Sequence, residues 1–224
     1  MKIKILSLFP EIIDSFFKSS IMAKAVEKGL VEYSLVNIRD YTVDKHKTCD
    51  DAPYGGGAGM VLKPDPLAAA LDSVDGSLKR VIFPSPSGIK FDQNQAKRLA
   101  GFDELIFICG RYEGIDQRII DLYVDEEISI GDYVISSGEI STLVIIDSVY
   151  RLLEGVISSD SLVEESFTDG LLEYPHYTRP SNFRGLTVPD VLLSGNHAKI
   201  TEWRRNKRIQ KTRDNRPDID IKVE

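Results

Sequence analysis

The sequence predicts an α/β protein, in which helices cover the faces of a parallel sheet. Two apolar runs, Lys79 to Phe83 and Glu104 to Cys109, are bounded by Gly and Pro, as is typical of buried parallel strands. A helical stretch from Asp92 to Ala100 separates them. Alternation of apolar strands with helices is the pattern of a sheet with helices on its faces.

The N-terminal residues fit the same fold. Lys2 to Leu8 alternates like a strand, and Pro10 suits the first position of a helix, where its missing N–H has no partner to lose. Gly29 is expected to end a helix, and Val31 to Ile38 to form a second strand.

Length and composition exclude several classes of protein. A chain of 224 residues can form one large domain, or a core domain with a smaller appendage. Its strongest apolar run, Leu143 to Ile146, is interrupted by Asp147 and is far shorter than the roughly 20 residues of a membrane helix. The apolar part of the N-terminus is too short for a signal peptide. We therefore expect a cytoplasmic protein with no membrane partner.

Cysteine usage predicts neither disulfides nor a zinc site. Only Cys49 and Cys109 occur, and no CxxC spacing is present. We therefore expect no structural metal, whereas the sequence leaves open whether Mg²⁺ assists a reaction.

Charge is distributed unevenly along the chain. The formal net charge is −7, but nine Lys or Arg and only two acids lie between His176 and Arg213. A basic segment on an acidic body can attract phosphate locally. A solvated basic helix is the alternative, and charge alone does not separate the two.

The character of the sequence changes after Arg151. Ser158 to Ser166 is polar and lacks periodicity, which predicts a flexible linker. Beyond it, Val188 to Leu193 and His197 to Lys211 are predicted helices. The second helix has three expected packing positions, Ala198, Trp203 and Ile209.

Three glycine-containing loops are candidate ligand sites. Pro53 to Met60 lacks the ending of a P-loop, and it could equally be a mobile surface loop. Cys109 to Gly114 follows a predicted strand, where α/β proteins bind ligands, although a simple turn would look similar.

The third loop, Ile130 to Gly138, leads from a strand through small residues into a helix. We expect Ser136 to cap that helix and Glu139 to reach back to it in a capping box. Backbone groups at such a helix start could read an adenine ring flanked by Ile130, Tyr133 and Ile135.

These loops belong to a longer series of motifs. Tyr54 to Met60, Gly110 to Gly114, Ile130 to Tyr133, His176 to Pro180 and Val191 to His197 resemble, in order and spacing, the bacterial tRNA (guanine-N1)-methyltransferases, the TrmD family. The resemblance covers essentially the whole chain, and several long motifs in order are more specific than any single glycine loop.

The resemblance implies a fold and an activity. It implies a trefoil-knotted, SPOUT-type methyltransferase domain (residues 1–157), a flexible linker (158–170) and a small helical tRNA-binding domain (171–224). Proteins of this family are homodimers with active sites at the subunit interface. They transfer methyl from S-adenosylmethionine to N1 of guanosine 37 of tRNA when another guanosine precedes it.

The resemblance also implies site residues. Those matching the family's S-adenosylmethionine contacts are Ser85, Pro86, Gly110, Glu113, Ile130, Gly131, Asp132, Tyr133, Val134, Ile135 and Gly138.

The chemistry requires a base and a cation. Guanine N1 is protonated at neutral pH, so a general base must remove its proton. Negative charge then spreads to O6, where a cation stabilises it. Arg151 matches the family's arginine for that role, although it could instead serve only to close a helix C-terminus.

The residue expected to act as general base differs from the one usual in the family. The usual catalytic aspartate precedes Ser-Phe, and Glu165 stands at that place here, with Asp169 as the rival. Either acid would act across the dimer interface, and either could instead be a solvated linker charge. Ala58 also replaces a common proline, and Ser137 stands where a glycine is usual.

Two other functions stay open on the sequence alone. A ribose 2′-O-methyltransferase on a similar knotted core would not need the linker carboxylate. A non-catalytic RNA-binding protein would have lost S-adenosylmethionine binding.

Overall fold

The computed structural model describes residues 1–74 and 79–221. The chain divides into two compact units, Met1–Ile157 and Ser158–Glu224. Residues 75–78 and 222–224 of the domains predicted from the sequence lie outside the described residues.

A five-stranded parallel sheet forms the centre of the N-terminal unit. Its strand order is β2-β1-β6-β5-β7, and every neighbouring pair is parallel, which confirms the predicted α/β class. A two-residue antiparallel pair, β3–β4, lies beside it. The strands of this unit are β1 (Lys2–Ser7), β2 (Glu32–Asn37), β3 (Asp50–Asp51), β4 (Val61–Leu62), β5 (Lys79–Lys90), β6 (Glu104–Ile108) and β7 (Glu126–Ser129).

Helices cover both faces of this sheet. They are α1 (Pro10–Phe17), α2 (Ser20–Glu27), α3 (Pro64–Asp72), α4 (Gln93–Leu99), α5 (Gln117–Tyr123) and α6 (Gly138–Tyr150), with a 3-10 turn at Ile38–Tyr41.

The side chains of strand β6 explain why helices must cover both faces of the sheet. Alternate side chains of a strand point to opposite faces. Leu105 and Phe107 pack with α1, α2, α4 and α6, whereas Ile106 and Ile108 pack with α3 and α5. All four side chains are fully buried, so an apolar run without alternation is what a central parallel strand requires.

Local signals place several boundaries correctly. Pro10 is the first residue of α1. Asp92 caps α4 by accepting a hydrogen bond from the Gln95 N–H at 2.8 Å. Gly29 follows α2 with a φ of +71°, a conformation that glycine adopts without strain.

Strand β5 runs farther than the predicted Lys79 to Phe83. Ile128 of β7 is the register partner of both Pro84 and Ile89, so residues 85–88 leave the ladder as an irregularity within the strand. Proline cannot donate a ladder hydrogen bond, which is why Pro84 and Pro86 resemble the end of a strand in the sequence.

The expected capping box at α6 is wrong. Ser137, not Ser136, is the N-cap residue, and no side-chain cap bond forms. Glu139 instead turns into the protein and is 0% exposed.

The C-terminal unit has one long helix, with shorter helices and strands before it. It contains α7 (Ser159–Val163), β8 (Asn182–Phe183), β9 (Leu186–Thr187), α8 (Asp190–Leu193) and α9 (His197–Asn215). Helix α7 lies within the segment predicted to be an aperiodic linker.

Helix α9 packs differently from the sequence prediction. It extends four residues beyond Lys211, and Asn196 caps its start by accepting from the Lys199 N–H at 3.2 Å. Trp203 and Ile209 are half-buried, but Ala198 is exposed, so the prediction for Ala198 is wrong. Its position in the first turn of the helix carries it outside the packed stretch.

Among the described residues, no helix combines the length and the apolar character needed to cross a membrane.

The packing of β6 generates the first prediction. Replacing Leu105 (0% exposed) by alanine should lower the free energy of unfolding by about 2–5 kcal/mol, because a buried cavity replaces close-packed atoms. Leu122, which is 76% exposed on α5, is the matched control, and its alanine variant should stay within about 0.5 kcal/mol of the parent. Urea unfolding followed by circular dichroism measures both, and equal effects would contradict the assigned core.

Candidate active site

A cavity opens at the carboxyl ends of β5, β6 and β7. Its volume is about 590 Å³, within the range of small-molecule sites. Most of the lining residues come from three segments: 83–87 of β5, 110–115 after β6, and 127–138 without Asp132, which runs from β7 to the first residue of α6. Ligands of open α/β sheets bind beyond these strand ends, so the cavity is the candidate site.

Ten of the eleven residues predicted to contact the cofactor lie around this cavity. They are Ser85, Pro86, Gly110, Glu113, Ile130, Gly131, Tyr133, Val134, Ile135 and Gly138. Asp132 is not among the lining residues. Its side chain is 91% exposed, and its carboxylate lies 3.7 Å from Nζ of Lys90.

Two glycines bring the loops into direct contact. The Gly138 N–H donates to the Gly110 carbonyl at 3.0 Å. A Cβ on Gly138 would lie 2.4 Å from the Gly110 nitrogen, and a Cβ on Gly110 would lie 2.9 Å from the Phe83 ring. Both positions therefore need glycine because neighbouring atoms fill the space of a side chain.

The cavity rim is apolar and aromatic. Tyr133, Val134 and Ile135 are exposed at their positions before α6. The Tyr133 N–H donates to the Gly131 carbonyl at 2.9 Å, which turns the chain sharply. Tyr112 is also exposed and has a φ of +56°, a strained conformation of the kind that collects at functional sites.

The first glycine loop supports the cavity from outside. Its residues Gly55, Gly56 and Gly57 have positive φ, with nothing near their missing side chains. At its far end the Met60 carbonyl accepts from the Glu113 N–H at 3.0 Å, and Gly59 lies against the Glu113 side chain. The loop is therefore joined to the segment that carries Glu113.

A buried carboxylate lies behind the cavity, and the sequence reasoning missed it. Oε1 of Glu139 accepts from the Ser7 hydroxyl at 2.5 Å. Oε2 accepts from the Ser137 hydroxyl at 2.7 Å and pairs with Nη2 of Arg111 at 2.9 Å. No spacing rule links these positions, since Ser7 and Glu139 are 132 residues apart.

The Cys109 thiol is a poor nucleophile. Complete burial raises the pKa of Cys109 far above its ordinary value, although a nearby Thr142 hydroxyl at 3.4 Å acts in the other direction. Since the thiolate is the reactive form, this residue serves packing.

The three predicted catalytic residues are divided between the two units. Arg151 directly follows α6 and is half-buried in the N-terminal unit. Glu165 is half-buried and Asp169 is exposed, both in the C-terminal unit.

Asp169 is held by an ion pair. Its carboxylate accepts from Nη2 of Arg208 and from the Leu171 N–H at 3.2 Å. Partial burial acts to raise the pKa of Asp169, but these two donors outweigh it and hold the pKa below its usual value. A carboxylate stabilised in this way is a weak proton acceptor.

Part of the basic charge of α9 is neutralised within its own unit. Arg204 pairs with Glu164 at 3.3 Å, and Arg208 pairs with Asp169. Lys199, Arg205 and Arg213 lie on the exposed surface of the same helix. In the described part of the chain, no group of three or more His, Cys, Asp or Glu side chains is arranged to hold a metal ion.

Comparison with known proteins places the chain in a family. A family model described as tRNA (guanine-1)-methyltransferase TrmD matches residues 1–222. A Treponema denticola protein named tRNA (guanine-N(1)-)-methyltransferase is 64% identical over 219 residues, 98% of this chain and 90% of that protein. A protein of the same name from Borreliella burgdorferi is 62% identical over 224 residues, 99% of this chain and 94% of its own.

A Treponema pallidum protein with that name is 57% identical over 219 residues, 98% of this chain and 88% of its own. The family match thus spans almost the whole chain, including the motifs around the cavity. The chain belongs to the TrmD family of tRNA (guanine-1)-methyltransferases.

Proposed function

We propose that this chain transfers a methyl group from S-adenosylmethionine to N1 of guanosine 37 of tRNA. The observation that carries the proposal is the cavity, because ten of the residues predicted to contact S-adenosylmethionine, from three separate segments of the chain, line it. Family membership supports the reaction, and the cavity supports the position of the cofactor.

The cavity suits an adenosyl ligand. Ile130, Tyr133 and Ile135 offer apolar surface to a planar ring. The Glu113 carboxylate supplies negative charge for a sulfonium cation. When bound, S-adenosylmethionine supplies an activated methyl group, so the protein has only to align the reactants and manage the N1 proton.

Glu165 is the proposed general base. Asp169 is engaged by Arg208 and has a lowered pKa, which makes its carboxylate a weak proton acceptor. Glu165 also occupies the position of the family's catalytic aspartate, and its extra methylene lengthens the side chain by about one bond. Both arguments favour Glu165 over Asp169.

Arg151 is the proposed electrostatic partner of guanine O6. Proton loss from N1 places negative charge on O6, and a guanidinium stabilises that charge with fixed donors. Its position directly after α6 puts it on a rigid element rather than on a mobile loop.

The remaining parts of the proposal follow from family membership. They are a trefoil knot in residues 1–157, a linker at 158–170, a tRNA-binding domain at 171–224, a homodimer, and action in the cytoplasm. The exposed cations of α9 support tRNA binding, since basic side chains on one helix attract the phosphate backbone.

The substrate prediction compares two tRNA transcripts. A transcript with guanosine at positions 36 and 37 should accept labelled methyl from S-adenosylmethionine, whereas one with adenosine at 37 should not, because the reacting N1–H is absent. The assay is run with Mg²⁺ and with EDTA, since the role of Mg²⁺ is open. Equal labelling of both transcripts, or label on a ribose, would refute the proposal.

The base prediction uses two isosteric variants. Glu165→Gln should lower kcat by about 10²–10⁴-fold, the usual contribution of a general base. Asp169→Asn is the matched control, because it keeps a hydrogen-bond acceptor for Arg208, and it should change kcat by less than about tenfold. Single-turnover methyl transfer measures both, and the reverse order of effects would assign the base to Asp169.

The glycine prediction concerns the contact between the loops. Gly138→Ala should weaken S-adenosylmethionine binding by about 100-fold, because the new methyl must push two backbone segments apart by about an ångström. Gly101→Ala is the control, since its φ is ordinary and its nearest new contact is 3.3 Å. Calorimetry measures both dissociation constants, and equal binding by the two variants would contradict the assigned geometry.

A further inference from the structure

The buried Glu139 carboxylate joins three separate parts of the chain. Ser7 is the last residue of β1, Arg111 lies in the loop after β6, and Ser137 precedes α6. The first donates to one carboxylate oxygen and the other two interact with the second. We refer to Ser7, Arg111, Ser137 and Glu139 as the carboxylate cluster.

Further contacts extend the cluster to the backbone. The Ser7 hydroxyl accepts from the Phe9 N–H at 2.8 Å, and the Phe9 ring lies 4.6 Å from the Arg111 guanidinium carbon. Nη1 of Arg111 donates to the Ser136 carbonyl at 3.4 Å. Ser7 and Arg111 therefore each hold another segment as well as the carboxylate.

Two members of the carboxylate cluster line the cavity and two do not, and this difference indicates the role of the cluster. Arg111 and Ser137 line the cavity, whereas Ser7 and Glu139 are fully buried and are not among its lining residues. A ligand in the cavity thus meets the loops that the hidden pair holds, but not the pair itself.

Burial makes the cluster sensitive to loss of any donor. A carboxylate out of water must be paired and hydrogen-bonded, and removing one partner is costly because the others stay desolvated. In the described residues, Nε of Arg111 is buried without a hydrogen-bond partner, so this guanidinium depends on the contacts made by its other nitrogens. A change at Ser7 should therefore be felt by Arg111 and by the loop before α6.

We propose that Glu139 is a positioning residue that holds the loops after β6 and before α6 in the spacing that S-adenosylmethionine requires. Ser137, which replaces the family's usual glycine, is a supplementary donor that this chain adds to the same carboxylate. The inference rests on the proposed cofactor, and it assigns Ser7 and Glu139 an effect on cofactor affinity without ligand contact.

The test measures S-adenosylmethionine affinity and turnover separately. Ser7→Ala should raise the Kd from calorimetry and the KM for S-adenosylmethionine about tenfold, as expected for a lost hydrogen bond to a buried charge. Because Ser7 touches no reacting atom, kcat at saturating S-adenosylmethionine should change by less than about twofold.

Ser137 provides a rescue series. Ser137→Ala should weaken binding about fivefold, since two donors remain on the carboxylate. Ser137→Thr keeps the hydroxyl and should retain the parent affinity. The double variant Ser7→Ala with Ser137→Ala should differ from the product of the single effects, because both hydroxyls serve one carboxylate.

A core variant separates positioning from stability. Ile5→Val lies two residues before Ser7 on the same strand and removes one buried methylene without touching the cluster. It should lower Tm but leave Kd unchanged. Glu139→Gln should weaken binding most, and if that variant does not fold, Ser7→Ala and Ser137→Ala still decide the question.

The experiment distinguishes failure of the positioning role from failure of the proposed function. If Ser7→Ala lowers Tm as Ile5→Val does and leaves Kd and KM unchanged, the cluster serves stability alone and the inference is overturned. If the parent chain binds S-adenosylmethionine but methylates no tRNA, the proposed function fails while the affinities still test the cluster. If the parent binds neither S-adenosylmethionine nor its demethylated product, both are overturned.

Discussion

The site depends on the contact between two backbone segments, the loop after β6 and the approach to α6. Gly110 and Gly138 meet with no room for a side chain on either, and one backbone hydrogen bond joins them. Close approach of this kind needs glycine and an independent force that holds the segments together, because glycine itself adds no packing. The Glu139 carboxylate interacts with a donor from each segment, Arg111 after β6 and Ser137 before α6.

Two kinds of electrostatic interaction serve different purposes in the two units. In the N-terminal unit a fully buried carboxylate interacts with three donors and couples distant strand ends. In the C-terminal unit the acids of the segment 164–169 pair with arginines of α9 at partly exposed positions. Exposed pairs contribute little to stability and exchange readily with other partners. The first arrangement fixes the spacing of buried segments, and the second leaves the arginines of α9 able to change partners.

Much of the sheet could be predicted because its signals are local. The β1 and β6 strands, the start of α1 at Pro10 and the turn at Gly29 depend on neighbouring residues alone. The prediction ended β5 too early because Pro84 and Pro86 usually stop strands, whereas here the chain bulges and pairs again with β7. The predicted cap of α6 was also wrong, because the Glu139 side chain interacts with Ser7 and Arg111, which are far away in the sequence.

The sequence by itself determined the fold class, through apolar runs whose pattern follows from burial on both sheet faces, and the family, through long motifs in order. It also identified three glycine-containing loops as candidates, of which residues 110–114 and most of 130–138 line the cavity, whereas 53–60 does not. Only the tertiary structure decided that ten of the predicted residues line one cavity while Asp132 does not. It alone decided that Asp169 is paired with Arg208 and that Glu139 is buried beside the loops that line the cavity. These are contacts between residues far apart in the chain, and no local pattern encodes them.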